Sequence, residues 1–234
     1  MYGSAARAPW LVWLGGAAFV ASLGLFVYCY FVVFGRTAGS ERVLQPVLLN
    51  TFLFSVFAMH HSVLARASAK RRLVTVVPVQ LERSFYVWVS SALFALVCLG
   101  WQPVDGLVYA RTGWPALPHW MAVIAGAVIT WRAAAVLDPL ELAGIRQAGG
   151  DDRTPAFTVV GPYCWVRHPI YLGWMLIVFG VPVMTGTRLT FAIVSSAYLM
   201  VAIPFEERSL ADAFGDTYRD YRRRVRWRVL PGRW

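Results

Sequence analysis

The chain has 234 residues, 58% of them hydrophobic and only 15% charged, which excludes an ordinary soluble domain. Its net charge of +10 rests on 22 basic residues, 21 of them arginine. No soluble basic surface with groove-reading elements accompanies that charge, so nucleic acid is not an expected partner, whereas the anionic headgroups of a lipid bilayer are.

Six hydrophobic spans are expected, at about residues 10–34, 43–65, 84–104, 114–136, 169–187 and 189–205. Each approaches the roughly 20 apolar residues needed to cross a hydrocarbon core. The first is too long for the core of a cleaved leader and reads as a retained helix. His60 and His61 close the second span. Neighbours on a helix point about 100° apart, so the two cannot face one metal, and no Cys or carboxylate follows at the helical spacing. One of them is suited to deprotonating a thiol, which is a poor nucleophile until its proton leaves. The alternative is a histidine hydrogen-bonded at a helix end near Arg66. Glu82 and Arg83 are expected to pair at an interface or close a site from the basic loop at 66–83. Cys29, Cys98 and Cys164 have neither metal spacing nor the pattern of a disulfide framework. The longest connection, 137–168, carries a turn signal at Gly149–Asp152. The last two spans are the shortest and are separated by little more than Arg188; Gly186 favours a tight hairpin.

Charge orients these spans. Six spans place 18 of the 22 basic residues on the side of the N-terminus, leaving Arg36, Arg42, Arg111 and Arg188 opposite. The positive-inside rule then puts both termini in the cytoplasm, and the arginine-rich composition hints at a bacterial inner membrane. After the last span, Leu210, Phe214, Tyr218, Tyr221 and Val225 recur at steps of three and four among arginines. That spacing predicts one amphipathic interfacial helix, ended by Pro231, with its apolar side toward lipid or protein.

A hairpin brings its outer ends together. Arg167, His168 and Pro169 precede the fifth span and Glu206-Glu207 follow the sixth, so opposite charges meet at one water–lipid boundary. Ionisable groups there are costly unless paired or used. Arg167 and Glu206 are expected in one pocket. An arginine can fork onto a carboxylate, His168 can donate to an oxygen, and a glutamate with Tyr or Trp faces can hold a cation. Pro169 suits a first helical turn, which leaves Arg167 and His168 beside unpaired N–H groups. The bland alternative is a salt bridge that closes the hairpin.

The run GPYCWVRHPIYLGW, followed by EERSLADAFGDTYRDY, resembles the C-terminal region of integral-membrane methyltransferases of the isoprenylcysteine carboxyl methyltransferase type. Gly161, Tyr163, Trp165, Arg167, His168, Pro169, Tyr171 and Gly173 match the first part of that pattern. Glu206, Glu207, Leu210, Phe214, Gly215, Tyr218 and Tyr221 match the second. The resemblance implies S-adenosylmethionine as cofactor, bound by Gln147, Tyr163, Arg167, His168, Pro169, Tyr171, Gly173, Glu206, Glu207, Tyr218 and Tyr221. The segment LDPLELAGIRQA, with Gln147, and the segments FAMHHSVLARASAKRR and PVQLERSFYVWVSS look like the small-thiol branch of the family, typified by methanethiol S-methyltransferase. Arg167, Glu206 and His61 are accordingly the candidate catalytic residues, with a small or lipophilic thiol as methyl acceptor and no metal. Carboxyl methylation of a prenylated cysteine and N-methylation of a phospholipid are the alternatives within the class. A sterol-type reductase or a non-enzymatic accessory protein stands outside it. The expected architecture is all-α and polytopic: one domain over 1–234, with four spans in 1–136 and the cofactor site in 137–234.

Overall fold

A computed structural model describes residues 9–37, 39, 43–64, 81–137 and 157–232. The helices in chain order are α1 (Pro9–Tyr28, continued by a π-helical turn at Cys29–Val33), α2 (Leu44–Leu64), α3 (Glu82–Gly100), α4 (Leu117–Val136), α5 (Pro169–Phe179), α6 (Gly186–Phe214) and α7 (Asp216–Arg224). Two short strands, β1 (Leu107–Ala110) and β2 (Val183–Thr185), complete the described elements. Among the described residues five helices are long and apolar enough to cross a membrane. Large apolar side chains such as Phe52, Leu99 and Trp131 stand fully outward on them. In water that much exposed hydrocarbon would be an aggregation liability; in lipid it is solvated, and the chain is an integral membrane protein.

The described residues fall into two compact units. The first holds α1, most of α2, and α3. Its core is aromatic: Phe57 packs on Phe94 with ring centroids 5.3 Å apart, and Phe26 stacks on Tyr30 at 5.5 Å. Gly15 lets α1 approach α3, since a Cβ there would stand 3.3 Å from the indole nitrogen of Trp88.

The second unit holds the start of α2 and residues 102–137 and 157–232. Here α4 runs against α5, backbone to backbone, through Gly126 and Gly173; a Cβ on either would strike the other's carbonyl oxygen. Small residues allow this approach, which maximises dispersion contact where no hydrophobic drive exists between lipid-solvated helices. Beyond α5, β1 and β2 pair antiparallel, Tyr109 opposite Met184 and Ala110 opposite Val183, with a bulge between Leu107 and Tyr109. The ladder is extended by Arg111 N–H donating to Pro182 O (2.8 Å) and Gly186 N–H to Gly106 O (2.7 Å). Thr185 accepts the N–H of Arg188 as the N-cap of α6. Asn50, fully buried, bonds both backbone groups of Gln102 at 2.7 and 2.8 Å.

Three expectations need correction. The fifth and sixth spans are unequal, 11 and 29 residues, rather than two short helices meeting at Arg188. Gly180 and Pro182 end α5 early and the intervening residues join the short ladder of an otherwise helical fold, as expected. Arg188 is buried in the first turn of α6, where it donates to Val183 O (2.6 Å) and lies against Gly35. The helix α6 also passes through Pro204 and carries Glu206, Glu207, Leu210 and Phe214. The amphipathic pattern is therefore shared by two helices, broken at Gly215, whose φ of 55° suits a residue without a Cβ. The helical stretch ends at Arg224, the last residue of α7, and not at Pro231. Its apolar side is taken by protein, because Tyr218 and Tyr221 are buried against Phe157, Val159, Leu210 and Phe214.

Candidate functional site

The centre of the second unit's charged end is Glu207. Its side chain is 4% exposed, and Arg167 Nε donates to its Oε1 at 2.7 Å. His168 Nε2 stands 3.4 Å from the same oxygen. On the other side, Arg228 Nε and Arg222 Nε lie 3.6 and 3.9 Å from Oε2. The expected partner of Arg167 was Glu206. Consecutive residues on a helix diverge by about 100°, so only one of the pair can face inward, and it is Glu207. Glu206 faces out, with a side chain 45% exposed. It accepts the Tyr171 hydroxyl at 2.7 Å and lies 3.5 Å from His168 Nδ1.

Local structure sets these positions. Gly161, with φ of 58°, opens a 3₁₀ turn, and Pro169 begins α5. The residues between are irregular and take up the returning chain: Arg167 N–H donates to Trp227 O (2.9 Å) and His168 N–H to Arg228 O (2.8 Å). Arg167 Nη1 donates to the carbonyls of Val225 (2.8 Å) and Arg226 (2.7 Å). Of its five N–H donors, the Nη2 pair remains for a ligand. The His168 carbonyl accepts the N–H groups of Tyr171 and Leu172, both at 3.1 Å, and the His168 and Tyr171 rings stack at 5.2 Å. Tyr221 hydroxyl donates to Tyr163 O (2.9 Å).

Burial alone would lower the pKa of His168, but the hydrogen bonds and charges of Glu206 and Glu207 outweigh it and the imidazole titrates above its ordinary 6.5. A group whose folded pKa is raised contributes stability below its unfolded value and loses it as pH rises through the folded one. Thermal stability of the wild type should therefore decline from about pH 6.5 upward, and that slope should be shallower in His168→Gln. Equal slopes, measured by thermal unfolding in detergent, would mean that His168 is not an imidazolium bridge. Burial also lifts the phenols: Tyr218 to about 12, with Tyr163 and Tyr221 likewise raised. They are donors and aromatic faces at neutral pH, not bases. The Tyr218 hydroxyl is buried and has no hydrogen-bond partner among the described residues.

A cleft of about 490 Å³ opens beside this cluster, lined by Arg167, Arg219, Arg222, Arg223, Arg226 and Arg228. Sequence reasoning counted the last five only as topogenic charge; their R-x-x-R and R-x-R spacing was the available signal. Of the other candidates, Pro169 starts α5 and Gly173 stands in the α4–α5 contact. Gln147 lies outside the described residues. His61 belongs to the first unit, where its Nδ1 is 2.7 Å from the Tyr86 hydroxyl, with Arg83 over the Tyr86 ring at 5.1 Å. Among the described residues no group of three His, Cys, Asp or Glu side chains is placed to hold a metal.

The family model described as "Phospholipid methyltransferase" matches residues 118–217. Methanethiol S-methyltransferase 2 of Bradyrhizobium diazoefficiens is 37% identical over 223 residues, covering 89% of this chain and 82% of that protein. Methanethiol S-methyltransferase of Mycobacterium tuberculosis is 35% identical over 235 residues, 96% of this chain and 93% of that one. Methanethiol S-methyltransferase 1 of B. diazoefficiens is 34% identical over 196 residues, 81% and 68% of the two chains. No solved structure matches at a significant level.

Proposed function

The chain belongs to the integral-membrane methyltransferase family that includes the methanethiol S-methyltransferases, and we propose that it methylates the sulfur of a small or lipophilic thiol, with S-adenosylmethionine as donor. The observation that carries the acceptor is the reach of the similarity. It extends over 96% of the chain in one relative, beyond the C-terminal hairpin into the part where His60, His61, Glu82 and Arg83 lie. The phospholipid methyltransferase match, confined to residues 118–217, favours a second reading, N-methylation of a lipid headgroup.

The side chains fit the donor's chemistry. S-adenosylmethionine supplies a methyl group on a positively charged sulfur, open to in-line attack by a thiolate. Arg167, held from behind by Glu207 and two carbonyls, offers its Nη2 edge to a carboxylate. Glu206, half-exposed and oriented by Tyr171, suits an ammonium or ribose hydroxyls. The unpartnered Tyr218 hydroxyl is a spare donor within the same group of charges. Glu207 itself is enclosed and acts by positioning. Glu206→Gln should weaken donor binding by roughly 1.5–3 kcal/mol, the scale for a hydrogen bond to a charged group.

The thiol must lose its proton before its sulfur attacks. The Tyr86 hydroxyl stands 2.7 Å from His61 Nδ1 and 3.3 Å from Nε2 and orients the ring, which in its neutral form can take that proton. His61→Gln should then lower turnover at neutral pH, leave donor affinity unchanged, and recover as pH approaches the thiol's own pKa. Loss without recovery would make His61 a structural residue. The reading as a whole is tested with labelled donor and three acceptors. Transfer to methanethiol-sized or lipophilic thiols is expected. Transfer to phosphatidylethanolamine or a prenylcysteine, with none to thiols, would overturn it.

The same reading places the protein in a bacterial inner membrane with both ends and the site cytoplasmic, as the 18-to-4 division of basic residues supports. A reporter fused after residue 232 that reads periplasmic would reverse it.

A further inference from the structure

The arginine cleft holds more cation than the family's chemistry asks for. Six guanidiniums line it, and the ion pairs that hold them among the described residues centre on three carboxylates: Glu207 with Arg167, Asp216 with Arg219 and Asp220 with Arg223. Arg222 and Arg228 lie 3.9 and 3.6 Å from the far oxygen of Glu207, a carboxylate already bonded to Arg167. The Arg226 side chain has no carboxylate within ion-pair distance among the described residues. Leaving several guanidiniums converging on one cleft is unfavourable unless an anion completes it. Planar guanidinium forks match phosphate oxygens two at a time.

The surroundings say where that phosphate comes from. Trp165 is 60% exposed, Trp227 38% and Leu230 50%. The two tryptophans lie on the segments that the Arg167 N–H to Trp227 O bond ties together. Exposed indoles beside arginines are the pattern of a water–lipid boundary, where the ring sits at headgroup level and the guanidinium reaches to phosphate. A site for a soluble phosphate compound would have no use for them. The cleft also stands just past the apolar part of α6, where the chain leaves the bilayer.

We propose that Arg222, Arg226 and Arg228 form a binding site for the phosphate group of an anionic phospholipid, at the mouth of the cleft whose inner wall is Arg167. The site does not depend on the identity of the methyl acceptor or donor. A lipid phosphate held there neutralises the excess charge and closes the cleft on its membrane side.

The test uses the full chain in a neutral detergent. Native mass spectrometry and thermal shift are read while phosphatidylglycerol, phosphatidylcholine or inorganic phosphate is added. Phosphatidylglycerol should be retained and should stabilise well above phosphatidylcholine, with inorganic phosphate competing at high concentration. The double variant Arg222→Gln/Arg226→Gln should lose that preference by roughly tenfold or more, each basic residue near an anionic surface being worth about a factor of five. Helix content by circular dichroism should be unchanged, and the thermal midpoint in detergent alone should hold or rise as the mutual repulsion is relieved. Equal retention of the two lipids by the wild type would overturn the proposal, as would an unaltered preference in the variant. Stabilisation by inorganic phosphate without any lipid preference would overturn the lipid assignment.

Discussion

Replacing Glu207 by alanine should destabilise the protein by about 3–5 kcal/mol, the cost of removing one partner from a buried ion pair. The charge it leaves behind is the reason. Arg167 is itself buried, with only carbonyl oxygens as further acceptors, and His168 and Arg228 crowd the vacated place. Glu207→Gln keeps an oxygen for Arg167 and should fall between alanine and the wild type. The neighbouring Glu206→Ala is the control: its side chain is 45% exposed, so the loss of stability should stay within about 1 kcal/mol, with donor binding suffering instead. Thermal or denaturant unfolding in detergent separates the two. Similar losses for both glutamates would mean that Glu207 is not the centre of the cluster.

A methyl group at Gly173 is the second large effect. A Cβ there would strike the Thr130 side chain and the Gly126 carbonyl, and backbone cannot give way as a side-chain tip can. Overpacking of this kind costs about 1–3 kcal/mol or more. Against it works the gain of about 1 kcal/mol that alanine brings over glycine in a helix. Gly24, on α1, has nothing within 4 Å of the same position and isolates that gain. Gly173→Ala should therefore lower the thermal midpoint while Gly24→Ala raises or preserves it. Both changes moving the midpoint in the same direction would sink the close-packed α4–α5 contact. Since α5 carries Tyr171 and begins at Pro169, the first variant should also weaken donor binding.

The spans were legible because twenty apolar residues in a row leave few alternatives. The hairpin that joins residues 167 and 207 was legible too, from the placing of charges at its two outer ends. What could not be read was which glutamate turns inward, since the identities at 206 and 207 are the same and only the phase of α6 distinguishes them. That phase depends on α6 continuing through Pro204, and proline in a soluble helix would argue for a break. Within a membrane protein, neighbouring groups re-satisfy the freed carbonyl and the helix passes through. The β1–β2 ladder was hidden for another reason. Its strands are four and three residues long and lie 73 positions apart, so no local periodicity announces them. The arginines of the cleft were visible as charge but not as a site. Their convergence comes from the extended return at 225–229, which pairs with 167–168 and has no sequence signature of its own.

That return also sets an order of events during synthesis. The carbonyls that receive Arg167 lie 58 and 59 residues downstream of it. At ribosomal speeds of about 5–20 residues per second, the guanidinium waits roughly 3–12 s for acceptors that do not yet exist. Until Glu207 follows, 40 residues on, its charge must stay in contact with water or headgroups, which holds the unfinished hairpin at the bilayer's edge. A chain stopped short of residue 225 would keep every span and still lack the acceptors that seat Arg167. The stretch from 225 to 228 thus sets when the site can form, since its carbonyls seat Arg167 and His168.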